Sequence, residues 1–144
     1  MSIERAKAED WYSLKRVGDD ITYIGEPFIE EFYRCNIWHV RGRDGDMLID
    51  SGMGVVSLTE WVQLVTERSV QAVASHTHFD HIGCHHEFEN RICHRCEADL
   101  LAHPTRQNTL ADPYVTDDIF AKLPPAPYAS TTYAVKAAPA TRIV

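Results

Sequence analysis

No run of eighteen apolar residues occurs in the 144-residue chain, and a membrane span needs about that length. The first twenty residues, MSIERAKAEDWYSLKRVGDD, also lack the apolar core of an export signal. A soluble, cytoplasmic protein is therefore expected. Basic residues are the minority, 14 Lys and Arg against 21 Asp and Glu for a net charge of −7. That balance disfavours affinity built on phosphate neutralisation, so nucleic acid is not an expected partner. Glycine is sparse at seven residues, none of them in a phosphate-cradling loop, and there is no internal repeat or low-complexity tract. These absences argue against a nucleotide-binding loop and a repeat architecture. The cysteines number only four, Cys35, Cys84, Cys93 and Cys96; without an export signal, reduced thiols are expected.

What is present fits one globular domain with a real core, at 44% hydrophobic and 24% charged residues. Histidine is the unusual component. Of eight, seven (His76, His78, His81, His85, His86, His94 and His103) fall between residues 76 and 103. Scattered structural histidines do not cluster in this way, so a metal or acid/base site is the working hypothesis.

The residues between 17 and 26 (VGDDITYIGE) place β-formers after an Asp-rich turn and predict a first strand. CNIWHVRG (35–42) and MLIDSG (47–52) flank RDGD, where Asp44-Gly45 suits a tight hairpin turn. Their continuous apolar character predicts strands buried on both faces. Ser57-Leu58-Thr59-Glu60 has the form of a capping box, and Leu58, Trp61, Val62 and Val65 recur at helical spacing, predicting a helix over about 58–68 with these four in the core. VQAVAS (70–75) reads as a short buried strand, so strand, helix and strand form an α/β crossover. NRICH (90–94) predicts another strand, EADLLAH (97–103) a helix stopped by Pro104, and LPPAPYAS (123–130) a surface connection.

His76-Thr77-His78-Phe79-Asp80-His81 thus sits in the loop at a strand's carboxyl end, where open α/β sheets place ligands. In an extended loop, side chains two apart project to one side, so His76 and His78 can present two imidazoles to one ion. Asp80 and His81 add a carboxylate and a third imidazole. Such donors suit Zn²⁺, with Mn²⁺ or Fe²⁺ compatible. A zinc ion with an open position makes a nucleophile from water near neutral pH, so metal-assisted hydrolysis is the implied chemistry.

HTHFDH followed by Gly83 resembles the His-x-His-x-Asp-His motif of the metallo-β-lactamase superfamily, and MLIDSG upstream resembles the strand ending in Asp-x-Gly that precedes it. From Trp11 to about His103, including WYSLKRVGDDITYIGE and NIWHVRG, the order of parts is similar to the metallo-β-lactamase-domain proteins of the acyl-coenzyme A thioesterase branch. The resemblance implies an α/β fold of the αβ/βα four-layer type, represented by its amino-terminal half. Residues 1–16 would be an amino-terminal extension and 17–144 the domain, incomplete at its carboxyl end. It implies that His76 and His78 bind a first zinc, that Asp80 and His81 bind a second, and that Asp50 orients the loop or a ligand. Asp80 would also hold or accept the proton of the attacking water. A metal-activated hydroxide would then attack a thioester, ester or lactone carbonyl, with an acyl-coenzyme A thioester the leading substrate.

Two departures from the family pattern bear on these implications. The family's further zinc-binding His, bridging Asp and last His come from the second half of the sandwich, beyond Val144, and Cys84 stands where a second glycine is common. Two protein donors per ion fall short of the usual three. The 144 residues alone are expected to be inactive, to leave one apolar face of the sheet exposed, and to homodimerise or aggregate. The alternative is a non-catalytic truncated homologue acting by dimerisation or partner binding.

The other chemistry-bearing residues carry weaker signals. Cys93-x-x-Cys96 could close a structural zinc site with Cys84, His85 or His86, but no second well-spaced pair follows and buried reduced cysteines are the better reading. His85 and His86 fit solvated or core roles, with His86 near the metal loop an open alternative. His39 reads as structural, His94 has no motif support, and His103 is placed to meet the last carbonyls of its helix. Tyr12, Tyr33 and Tyr114 are candidates for a pocket wall that the sequence does not decide.

Overall fold

The computed structural model describes residues 3–144. One seven-stranded mixed sheet organises them, in sequence order: β1 (Ser13–Gly18), β2 (Ile21–Gly25), β3 (Ile37–Arg41), β4 (Asp46–Ile49), β5 (Val70–Val73), β6 (Asn90–Cys93) and β7 (Arg142–Ile143). The first four pair antiparallel and the last four parallel. The parallel step from β4 to β5 needs a crossover, and residues 50–69 supply it. This is the expected α/β architecture.

The first predicted strand is β2, after the Asp-rich turn, and β1 precedes it. Asp19 and Asp20, with Asp20 at φ 64°, make the turn between β1 and β2. Every residue of β1 is exposed and Lys15 and Arg16 sit in it. Charge on an edge strand blocks edge-to-edge association, and it also removes the apolar alternation by which a strand is read. The expected domain boundary at residues 16 and 17 falls inside β1, and Trp11 ahead of it is completely buried.

The β3–β4 connection also differs from expectation. It is a four-residue loop, Gly42 to Gly45, and neither Asp44 nor Gly45 takes a positive φ. Arg68 holds it by donating to the carbonyls of Gly42 and Arg43 at 2.7 and 2.6 Å, so a side chain from beyond the crossover fixes the turn. His39 is structural as expected, buried 3.0 Å from the buried Asp46 carboxylate, with Arg41 and Arg68 on the same carboxylate.

The strands alternate where burial on both faces was expected. Ile24, Ile37, Leu48, Val70 and Ala72 are buried on one face with Leu58, Val62 and Val65 packed beneath them. On the other, Ile21, Tyr23, Trp38, Val40, Met47, Ile49, Val73 and Ile92 share a face by register, and none is buried. Met47 is 42% exposed. No element of the described residues covers that face.

The helix over 58–68 is far shorter than its periodicity predicts. α1 spans Leu58–Trp61, Val62 breaks it at φ −120°, ψ 92°, and a 3₁₀ turn takes Gln63–Thr66. The spacing is satisfied by two short turns that still bury Leu58, Val62 and Val65. Trp61 is a correction: it is 45% exposed rather than core. It lines a groove of about 410 Å³ with Val55, Pro125, Pro127 and Tyr128, which none of the motif histidines lines. Ser57 caps α1 by accepting from Glu60 N at 3.2 Å, but the carboxylate serving the helix start belongs to Glu87, which accepts from Thr59 N at 2.9 Å. α2 (Ala98–Ala102) follows a 3₁₀ turn at 95–97 and stops before Pro104.

A candidate metal centre at the end of β5

Beyond Val73 the chain stays extended and alternates. Thr77 and Phe79 are buried, while His76, His78 and Asp80 face outward. The buried set anchors the loop: Thr77 Oγ1 donates to Glu97 Oε2 at 2.9 Å, and Phe79 N donates to Thr109 O at the same distance. A turn closed by His81 N on His78 O at 3.0 Å then swings His81 back beside His76. The ring centroids of His76 lie 4.6 Å from His78 and 4.0 Å from His81. The four residues of the motif that the sequence singles out are thus brought together.

Asp50 lies beneath them. It leaves β4 with φ 65°, is buried, and accepts from Ser75 N at 2.8 Å and Ser75 Oγ at 2.6 Å. Because Ser75 Oγ gives its proton to Asp50, it can only accept from His76 Nδ1, 3.0 Å away. That leaves the His76 Nε2 lone pair free. His81 Nδ1 stands 2.7 Å from Asp50 Oδ2, and His81 Nε2 stands 3.2 Å from Asp80 Oδ2. One carboxylate therefore orients two of the imidazoles, one directly and one through a hydroxyl. Burial alone would lower the His81 pKa, but hydrogen bonds to Asp50, Asp80 and Cys35 outweigh it and hold the ring well above the usual histidine range. Burial, with His81 and His78 nearby, lowers that of His76. Three imidazoles between two carboxylates form a pocket of nitrogen and oxygen donors that favours a cation, so these residues fit a zinc-class ion.

The loop after Asp50 fits tightly against the one carrying the histidines. Gly83 N donates to Gly52 O at 2.8 Å, and a Cβ on Gly83 would lie 1.9 Å from the Met53 carbonyl carbon. Met53 is fixed from both sides: its N–H donates to the fully buried Glu26 carboxylate at 3.2 Å, and its carbonyl accepts from Tyr133 Oη at 2.6 Å. Trp11 Nε1 donates to the same Glu26 at 3.0 Å. Burial pushes Glu26 up to about 7 in spite of these two donors.

Cys35, Ser75, Glu26 and Tyr133 are contributors that sequence reasoning missed. Only Ser75, adjacent to His76, carried a local signal. Cys84 and Cys93 are buried free thiols and Cys96 an exposed one; among the described residues no metal-ligating cluster includes them, so the structural clip is not formed. His85 is core, its Nδ1 2.7 Å from Ser51 Oγ. His94 Nδ1 accepts from Cys96 N at 3.1 Å, a capping role no motif announced. His103 is exposed. Tyr12 bonds Val56 O, and Tyr33 stacks obliquely on the exposed Tyr114.

A family model described as the metallo-beta-lactamase superfamily matches residues 31–94, the span holding Cys35, Asp50 and the whole histidine loop. Over residues 31–94 the chain is similar to the metallo-β-lactamase superfamily. Two relatives, the acyl-coenzyme A thioesterases MBLAC2 of Homo sapiens and Bos taurus, are each 33% identical over 149 residues, covering 95% of this chain and 53% of their own length. The chain spans about half the length of these curated relatives. Among solved structures, the FEZ-1 metallo-β-lactamase of Legionella gormanii aligns with a TM-score of 0.59 at 9% identity, covering 100% of this chain and 48% of its own. BJP-1 of Bradyrhizobium japonicum aligns at 0.58 and 17% identity, covering 91% and 44%. These show that the chain shares its fold with about half of each of those structures. No helix among the described residues is long and apolar enough to cross a membrane.

Proposed function

We propose that this chain carries the first-half metal ligands of a zinc-dependent hydrolase acting on an acyl-coenzyme A thioester. The observation that carries the reading is the convergence of His76, His78, Asp80 and His81 above one buried carboxylate at the carboxyl end of β5. The substrate class rests on the name of the thioesterase relatives. His76 and His78 would hold one ion, and Asp80 and His81 a second; Mn²⁺ or Fe²⁺ would also suit these donors. When bound, zinc supplies Lewis acidity toward the carbonyl and a nucleophile from water at neutral pH. Asp80, outward-facing and next to His81, would take the proton of the attacking water. Asp50 sets the directions of His81 and, through Ser75, of His76. Two donors per ion are fewer than catalytic zinc keeps, so turnover needs further donors, and the 144 residues by themselves would turn over little or no substrate. The free cysteines suit a reducing compartment, and we place the protein in the cytoplasm.

The test is zinc affinity by chelator competition, with release of coenzyme A thiol from acyl-coenzyme A measured beside it. His78→Ala and Asp80→Ala should each weaken zinc at least about tenfold, as loss of a ligand does more than loss of a ligand's partner. Unchanged zinc binding in both variants refutes the site.

One observation favours a second reading. Eight apolar side chains on the uncovered face, with the Tyr23–Trp38 ring pair at 5.4 Å near its centre, form a surface for self-association. A non-catalytic homodimer joined through this face would sediment as a discrete dimer, whereas a solvated monomer would overturn that reading.

A further inference from the structure

His81 has two ring nitrogens, and the hydrolase reading uses only the one facing Asp80. Around the other, Nδ1, stand Asp50 Oδ2 at 2.7 Å and the sulfur of Cys35 at 3.5 Å. Cys35 lies just before β3, Asp50 just after β4, and His81 in the loop after β5, so three segments distant in sequence deliver one sulfur, one oxygen and one nitrogen to a common point. Their ligand atoms all lie within 4.8 Å of one another. Tetrahedral zinc, with bonds of about 2.3 Å to sulfur and about 2.0 Å to nitrogen, separates those two ligands by roughly 3.5 Å. The observed sulfur-to-nitrogen spacing matches that. The carboxylate-to-nitrogen spacing is a hydrogen bond and must open by about 0.7 Å to reach the roughly 3.4 Å that the same geometry gives.

We propose that Cys35, Asp50 and His81 form a thiolate-containing site for a thiophilic divalent ion, distinct from the position held by His76 and His78. On binding, the Cys35 S–H bond breaks and a sulfur–metal bond forms, the proton leaving to solvent. The proton on His81 Nδ1 is likewise released, and the neutral ring keeps its proton on Nε2, 3.2 Å from Asp80 Oδ2, so an ion at this site and a second ion held by Asp80 and His81 exclude each other. No electron is transferred. The site has three protein donors where Asp80 and His81 supply two, and thiolate selects zinc, cadmium or cobalt over magnesium and manganese. It also gives a buried cysteine a chemical part, where burial alone makes it an inert apolar side chain.

Cobalt(II) titration of the 144-residue chain under reducing conditions tests this, because thiolate coordination gives a near-ultraviolet charge-transfer band that nitrogen and oxygen donors do not. The band should appear in the wild type, vanish in Cys35→Ala, and persist in Cys93→Ala and Cys84→Ala. Circular dichroism of Cys35→Ala and the near-isosteric Cys35→Ser checks that both remain folded. If Cys35→Ala does not fold, Asp50→Asn and His81→Gln must each weaken the band at least tenfold. A wild type without the band, or a band that survives Cys35→Ala, overturns the inference. The hydrolase reading fails separately: if His76→Ala and His78→Ala leave cobalt stoichiometry unchanged, that reading falls while the band stands. Visible cobalt bands with no near-ultraviolet band leave the hydrolase reading and remove this site.

Discussion

Replacing Gly83 by Ala adds one methyl group at the place where the histidine loop rests on the loop after Asp50. The new Cβ would lie 1.9 Å from the Met53 carbonyl carbon and 2.2 Å from Gly54 N, where ordinary contact begins at 3.4 Å. The two backbones must therefore part by about 1.5 Å, the difference between 3.4 and 1.9 Å. No side-chain rotation relieves the clash, since every atom met is main chain. Parting strains the hydrogen bonds from Gly83 N to Gly52 O and from Ser51 N to His81 O, both 2.8 Å, and that from Cys84 N to Ser51 Oγ at 3.0 Å. Overpacking costs about 1–3 kcal/mol, and each lost buried hydrogen bond about 1 kcal/mol more. With all three bonds lost, about 4–6 kcal/mol follows, a large part of a small domain's stability. Gly18, where an added Cβ would meet nothing within 4 Å, is the matched control. In urea denaturation Gly83→Ala should move the midpoint by at least about 1 M, given slopes of about 1–3 kcal/mol per M. Gly18→Ala should stay within about 0.5 kcal/mol of wild type. A Gly83→Ala protein as stable as Gly18→Ala would refute the packing argument and with it the rigid support claimed for the histidines.

Asp50→Asn keeps the shape beneath the site but removes the charge that orients His81 and Ser75; zinc affinity should fall about 10–100-fold by chelator competition, and an unchanged value would remove its orienting role. His85, pushed by burial down to about 4 from 6.5, favours the neutral ring in the fold. Its contribution is full above pH 6.5 and is lost as pH falls toward 4, about 3 kcal/mol in all. Glu26, pushed by burial up to about 7 from 4.5, works in the opposite direction: its contribution is full below pH 4.5 and is lost as pH rises toward 7. His85→Gln removes the first of these contributions, so in metal-free protein the stability of the variant relative to wild type should rise as pH falls from 6.5 toward 4. A difference that stays flat with pH, measured by denaturant midpoints, would contradict the assignment. On the uncovered sheet face, Met47→Lys should shift sedimentation toward monomer while leaving the circular dichroism spectrum unchanged.

The geometry of the histidine loop was written locally. A histidine at every second position of an extended segment, followed by Asp80-His81, sets its own geometry through the two-residue alternation of the backbone, so neighbours in sequence are neighbours in space. The strand that carries that loop, the parallel crossover, and Asp50 at the end of β4 were legible for the same reason. Tertiary structure decided whatever depends on atoms brought from elsewhere in the chain. Helical spacing placed Leu58, Val62 and Val65 in the core, yet a break at Val62 reduced one helix to two short turns and left Trp61 outside. Glu87 rather than the nearby Glu60 serves the start of α1, because its carboxylate arrives from the far side of β5. The long-range contacts decided most at the site itself: Cys35 reaches His81 across forty-six positions, and Tyr133 reaches Met53 across eighty. No periodicity or motif encodes such distances. They arise only when the sheet closes and its strand ends are drawn to one edge.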